Sequence, residues 1–259
     1  MSVSGGSVWR DLCSALIPKY LRGAVVSNTN ISPGSTACPV FGWLKLHGFL
    51  AMAGISGPLL LLGAEIVVLP SVANYSPLQN SISSLAWTSL GWIECLTFLT
   101  TGLLLETFAA VLFLGVRARR GFNLGIVFLA CSGFGLVVLG AFRTDIPYYP
   151  PTFSGTIHGI ASNATFILLP VAVLLIAPSL KKDPYWRSLF PFSVAAAAFA
   201  LLWIAGYRVW SPQELGLFGL FERILAGVEI AWVEVMALWL LRLFLRSFQN
   251  EPDQVLAHR

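Results

Sequence analysis

Along the chain, long apolar runs alternate with short polar connections. A helix needs roughly 20 predominantly apolar residues to cross the hydrocarbon core of a bilayer. Six runs reach that length, at residues 43–69, 93–116, 122–142, 157–177, 189–210 and 217–240. The pattern predicts an all-α, polytopic bundle of six transmembrane helices forming one domain over residues 43–247. An arm over 1–42, rich in Pro, Ser, Gly and Asn from Ser27 to Pro39, is expected to be mobile or interfacial. Residues 248–259 form a polar tail. Pro58, Pro170 and Pro191 fall within or near span interiors, where local kinks are expected and neighbouring helices satisfy the freed carbonyls. No internal repeat stands out. The first residues, MSVSGGSVWRDLCSALIPKYLRG, carry charges inside every short apolar stretch, unlike a signal peptide.

Composition points the same way. Of 259 residues, 56% are hydrophobic and 11% charged, with a mean hydropathy of +0.77. Soluble domains carry about 25% charged residues, so a soluble chain of this makeup could not cover its own surface. The net charge of +4 comes without a basic block interleaved with aromatics, so nucleic acid is not an expected partner. Cys13, Cys38, Cys95 and Cys131 show no C-x-x-C pair and no metal spacing. Cys95 and Cys131 lie in apolar runs and read as small packing residues.

Where the charges fall predicts an orientation. Arg117 to Arg120 follow the second span, Lys181 to Arg187 follow the fourth, and Arg242 and Arg246 close the sixth. Lys19, Arg22 and Lys45 precede or open the first. With six spans these clusters share one side, and basic loops stay in the cytoplasm. Both termini are therefore expected inside, in a multi-pass protein of the cell membrane. The connections at 70–92, 143–156 and 208–216 then face the periplasm or cell exterior, bordered by Trp87, Trp92, Tyr148, Tyr149, Tyr207 and Trp210 as an interfacial belt.

Polar chemistry gathers on that outer side. It comprises NYSPLQNSISSLAW (74–87), Arg143 and Asp145 after the third span, TIHGIASNAT (156–165), and GLFGLFERILAGVE (216–229). His158, Ser162 and Thr165 share a helix face by spacing, and so do Glu222 and Glu229, about 10 Å apart along the axis. Polar side chains in membrane helices tend to face the bundle interior or a wet cavity. The expectation is an outward-opening cup lined by Ser81, Ser84, Asp145, His158 and Glu222. The connection FRTDIPYYPPTFSGTIHG (142–159) is expected to lie over it as an ordered lid, stiffened by Pro147, Pro150 and Pro151.

These segments also carry a resemblance. Tyr75, Ser76, Pro77, Asn80, Ser81 and Ser84, then Asp145, His158, and Glu222 with Arg223, follow in the order seen in the membrane family catalogued as domain of unknown function 998. The resemblance covers about residues 46–245, with SLAW and FRTD where that family usually has SLG and FPxD. It implies a six-helix bundle and supplies no activity.

Several chemistries fit these residue types. Asp145, His158 and Ser81 or Ser84 are candidate catalytic residues for a lipid-directed hydrolase or transferase. Asp145, His158 and Glu222 are the one conceivable divalent-metal set, although no metal or other cofactor is predicted. His47 and His158 are expected at opposite ends of the bundle, too far apart to share a haem iron. Arg143, Arg208 and Arg223 suit an anion such as a lipid headgroup, or they snorkel at the interface. Glu65, Glu106, Glu229 and Glu234 fall in apolar runs with no cation expected at matching depth, so each is expected to be protonated, paired or hydrated. Such acids keep a proton-coupled transporter among the readings.

The leading reading is a membrane protein that binds a lipid or small polar ligand from outside. Asn80, Arg143, Glu222, Arg223 and Glu229 are its ligand-binding residues, and membrane lipids are its partners. The hydrolase or transferase, the transporter, and a purely structural or accessory membrane subunit are the alternatives. The residues alone decide neither whether the chain is an enzyme nor its oligomeric state.

Overall fold

The computed structural model describes residues 39–249 apart from 117, 147, 148 and 211, and for 39–49, 208 and 246–249 it describes the backbone alone. Most of the arm and tail expected from the sequence, 1–38 and 250–259, lies outside the described residues. The rest is all-helical: α1 (Pro39–Val68), α2 (Gly91–Gly115), α3 (Phe122–Ala141), α4 (Phe153–Lys182), α5 (Phe190–Trp210) and α6 (Phe218–Gln249). Short 3-10 turns at Leu69–Ser71, Ile82–Trp87 and Arg187–Leu189 complete the regular structure among the described residues.

All six helices hold a stretch long and apolar enough to cross a membrane. Their sequences are oily nearly all round, and a helix satisfies its backbone internally, which hydrocarbon surroundings demand. The 20 residues of α3 rise about 30 Å, the thickness of a bilayer core. This is a multi-pass integral membrane architecture.

The helix ends differ from the apolar runs by a few residues, for a local reason. α4 starts at Phe153 and not at 157, because Thr152 caps it by accepting from the Gly155 N–H at 3.0 Å. Asp145 Oδ1 holds that cap, accepting from the Thr152 N–H at 3.1 Å and its hydroxyl at 2.7 Å. His158 thus stands in the second turn of α4. At the other end Lys181 and Lys182 occupy the last turn of α4, where cations suit the helix dipole. α1 begins inside the segment assigned to the arm, and α6 runs past residue 247. Pro58 does lie within α1, and Pro170 and Pro178 within α4. Pro191 is the second residue of α5, a position that needs no N–H and so introduces no kink.

The helices form a closed ring in which each packs on its sequence neighbours and α6 returns against α1. Glycines let the backbones meet: a Cβ at Gly102 or Gly140 would strike backbone across the α2–α3 contact. Close approach at small residues is the usual means of association where lipid supplies no hydrophobic drive. One end of the ring is filled by a core that includes Phe108, Leu112, Phe122, Ile176, Trp186 and Met236. There Trp232 Nε1 donates to Ser193 Oγ at 2.9 Å, and Trp239 Nε1 donates to the Tyr185 carbonyl at 2.8 Å. Large apolar side chains such as Ile66, Leu103, Phe134 and Leu202 point outward, as lipid contact requires. The other end, where the 70–90 connection meets α6, is packed differently.

Candidate functional site

The organising residue is Arg223, in the second turn of α6. Its Nε donates to Glu65 Oε1 of α1 at 2.6 Å, and Nη2 lies 2.5 Å from the same oxygen. Nη2 also donates to the Tyr75 hydroxyl at 2.6 Å. Nη1 faces three carbonyls, those of Pro77 and Asn80 at 2.8 Å and Gly219 at 3.1 Å. The expectation that Glu65 has no cation at its depth is therefore wrong. Glu65 lies near the end of α1 and Arg223 near the start of α6, and antiparallel packing brings those ends level.

The connection after α1 is built to receive that guanidinium. Asn74 takes a left-handed φ of 61°. Asn80 Oδ1 accepts from the Ser76 N–H at 2.9 Å, closing a turn. Tyr75 donates its hydroxyl to the Ser81 carbonyl at 2.8 Å. Burial raises the Tyr75 phenol above its ordinary value of 10.0, outweighing the opposite pull of the adjacent Arg223. Gly219 must be small, because a Cβ there would run into the Pro77 and Asn80 carbonyl oxygens. The Leu220 N–H donates to the Leu78 carbonyl at 3.0 Å, and Glu222 Oε2 accepts from the Ile82 N–H at 2.8 Å. The early YSPLQNS and late GLFER segments thus form one knot. Trp203 of α5 braces it, stacking on Phe221 at 5.1 Å and donating to the Phe221 carbonyl at 3.0 Å.

Behind the knot lies a cavity of about 320 Å³. Its walls are mostly apolar, with Pro58, Leu61, Phe98, Leu105, Phe166 and Leu169 among them. Ser83, Thr101, Ser162 and Thr165 add hydroxyls, and Glu65, Glu222, Arg223 and Glu229 add the charged groups. Glu229 is 6% exposed and its Oε1 has no hydrogen-bond partner. Gly227 opens the wall between these acids, exposed and with nothing within 4 Å of where a Cβ would stand.

Sequence reasoning passed over Glu94. It lies in the first turn of α2, fully buried, with both carboxyl oxygens unpartnered. An apolar run beginning at Ile93 puts Glu94 at its edge, where hydropathy gives no sign that α2 starts at Gly91 and carries Glu94 inside the bundle. Glu106 and Glu234 do not line the cavity.

Asn80, Glu222, Arg223 and Glu229 thus meet at or beside the cavity, whereas the candidate catalytic residues do not form one constellation. His158 is buried and donates from Nδ1 to the Phe142 carbonyl at 2.7 Å, leaving Nε2 without a partner. Asp145 is occupied by Thr152. Ser81 Oγ accepts from the Ser84 N–H at 3.2 Å, and Ser84 Oγ donates to the Ser81 carbonyl at 2.6 Å. No hydrogen bond links either serine or Asp145 to His158, and none of the four lines the cavity. Among the described residues no three His, Cys, Asp or Glu come together to hold a metal ion, so the Asp145, His158 and Glu222 set is not assembled.

Of the three arginines expected at an anion site, Arg223 and Arg143 are engaged separately. All three Arg223 nitrogens are engaged within the protein, and the Arg208 side chain lies outside the described residues. Arg143 is exposed, over the Trp87 ring at 5.8 Å. Trp87 Nε1 donates to the Thr144 carbonyl at 2.8 Å, and Ser154 Oγ donates to the Arg143 carbonyl at 2.8 Å. The 142–159 connection is therefore tied to the 3-10 turn and to the start of α4, and none of its described residues lines the cavity.

No curated protein and no solved structure matches the chain. The family model described as "Protein of unknown function (DUF998)" matches residues 55–239, which take in the knot, all the cavity-lining helices from Ile55 onward and the ring that holds them. The chain belongs to this family.

Proposed function

We propose that the protein binds a small amphiphile, a lipid or lipid-like molecule with a hydrocarbon body and one polar head, in the cavity between α1, α2, α4 and α6. The observation that carries this reading is the cavity itself. Ligand pockets typically span about 300–1,000 Å³, with apolar walls and a few convergent polar groups. This cavity has about 320 Å³, mostly apolar walls, and acids contributed by the neighbouring helices α1 and α6. The reading takes the knot end as the outer one. Arg119, Arg120, Lys181, Lys182 and Arg187 all lie toward the opposite end, as basic residues do on a cytoplasmic face.

Gly227→Leu provides the test. Leucine is a better helix former than glycine, its Cβ meets nothing within 4 Å, and residue 227 is one of those that line the cavity, so the added bulk is placed at the cavity wall. Native mass spectrometry of the protein released from nanodiscs made with host-cell lipid is expected to show a retained amphiphile in wild type and none in Gly227→Leu. Identical spectra for the two would overturn the reading. Orientation is read separately: in a cysteine-free background, a cysteine at Thr152 is expected to react with an impermeant reagent in intact cells, and one at Pro184, exposed in the connection between α4 and α5, is not.

A second reading, a proton-coupled transporter, draws on both carboxyl oxygens of Glu94 and on Glu229 Oε1, which are buried without a partner. Intramembrane acids commonly mark proton paths. The hydrolase or transferase reading has no comparable support.

A further inference from the structure

The charged groups of the cavity indicate which head the ligand carries. Three carboxyl side chains, Glu65, Glu222 and Glu229, line it against one guanidinium, Arg223. That guanidinium is spent on Glu65, Tyr75 and three carbonyls. Glu65 is thereby matched, and Glu222 takes one backbone N–H through Oε2. Glu229 lies seven residues, or about 10 Å, further along α6. It is buried and lines the cavity with an unpartnered Oε1. Glu94, nearby at the start of α2, adds a further unmatched acid.

We propose that the ligand is a primary-amine amphiphile, its ammonium bound by Glu229 and its single hydrocarbon chain laid along the apolar walls. This rests on the cavity being the ligand site. An ammonium brings three donors and a charge, whereas a hydroxyl brings one donor and no charge. A buried carboxyl either stays neutral or ionises beside a hydrogen-bonded cation, and among the described residues no ion pair reaches Glu229, so an ammonium supplies the partner the fold does not. The same surplus of acids disfavours an anionic head, for which Arg223 has no free nitrogen. Ser162, on α4, also lines the cavity and offers a hydroxyl acceptor, whereas Thr165 Oγ1 lies against Gly135 of α3.

The test titrates octylamine, octanol and octanoate into the full-length protein in zwitterionic nanodiscs, by calorimetry, with Gly227→Leu as the blank for partition into lipid. Hydrogen bonds to charged groups are worth about 1.5–3 kcal/mol, so octylamine is expected to bind about tenfold or more tightly than octanol. Glu229→Gln is expected to erase that preference while octanol binding persists. Equal affinity for octylamine and octanol in wild type, or a preference for octanoate, overturns the ammonium assignment and leaves the cavity reading standing. If neither octylamine nor octanol binds wild type above the Gly227→Leu blank, both readings fall. The wild-type ratio needs no variant, so it decides the matter even if Glu229→Gln does not fold.

Discussion

Arg223 Nε donates to Glu65 Oε1 at 2.6 Å, joining residues 158 positions apart. The bond crosses from the start of α6 to the end of α1, where the two helices run antiparallel. The same guanidinium holds the Tyr75 hydroxyl and the carbonyls of Pro77, Asn80 and Gly219. One side chain therefore fixes the α1–α2 connection against α6 and closes one end of the cavity. Glu65 and Arg223 side chains are 20% and 17% exposed, so water does little to compensate when one partner is lost.

Removing the guanidinium should cost more than removing its carboxylate. Arg223→Met strands Glu65 and several backbone carbonyls, and losing the charged donor to these partly buried groups costs about 1–3 kcal/mol. Glu65→Gln keeps an acceptor for Nε and is expected to cost less. Thermal unfolding in detergent should rank them in that order, with the double variant less destabilised than the sum of the two. Strict additivity would mean that the pair is not coupled.

Tyr75 gives the knot a pH limit. Its phenol donates to the Ser81 carbonyl at 2.8 Å, and burial raises its pKa above 10.0. A raised value means the fold favours the neutral form, so this contribution to stability is fully present below the unfolded pKa of about 10. It is lost as pH rises through the folded value. The apparent Tm of wild type is expected to fall at alkaline pH more steeply than that of Tyr75→Phe. Parallel profiles would show that Tyr75 does not set the limit.

The membrane class, six spans and helix order were legible because apolar runs of this length have few alternatives in physical terms. The helix ends were not, because caps such as Thr152 extend α4 into polar sequence that hydropathy reads as loop. The polar segments at 74–87 and 216–229 were seen to belong to one end, and they do meet. What the sequence left hidden was which groups satisfy one another. Arg223 looked free for an anion and Glu65 looked unpaired, since a contact between residues so far apart leaves no local spacing to read. His158 and Asp145 looked like a pair by type, yet each is taken up by nearer backbone or capping partners.

Those partners yield the last prediction. Asp145 holds the cap of α4 through Thr152, and losing such a cap costs about 1 kcal/mol. His158 is 4% exposed and donates to the Phe142 carbonyl. Its removal leaves that acceptor short of a donor, a penalty of about 1–3 kcal/mol, and opens space where the ring packed. Asp145→Ala and His158→Ala are therefore both expected to lower Tm, His158→Ala the more, and to leave octylamine affinity unchanged where the protein stays folded. Neither side chain lines the cavity, so a structural role moves stability alone. The opposite result, normal Tm with binding or turnover abolished, would return both residues to the functional site and require them to reach the ligand by a rearrangement of the α3–α4 connection.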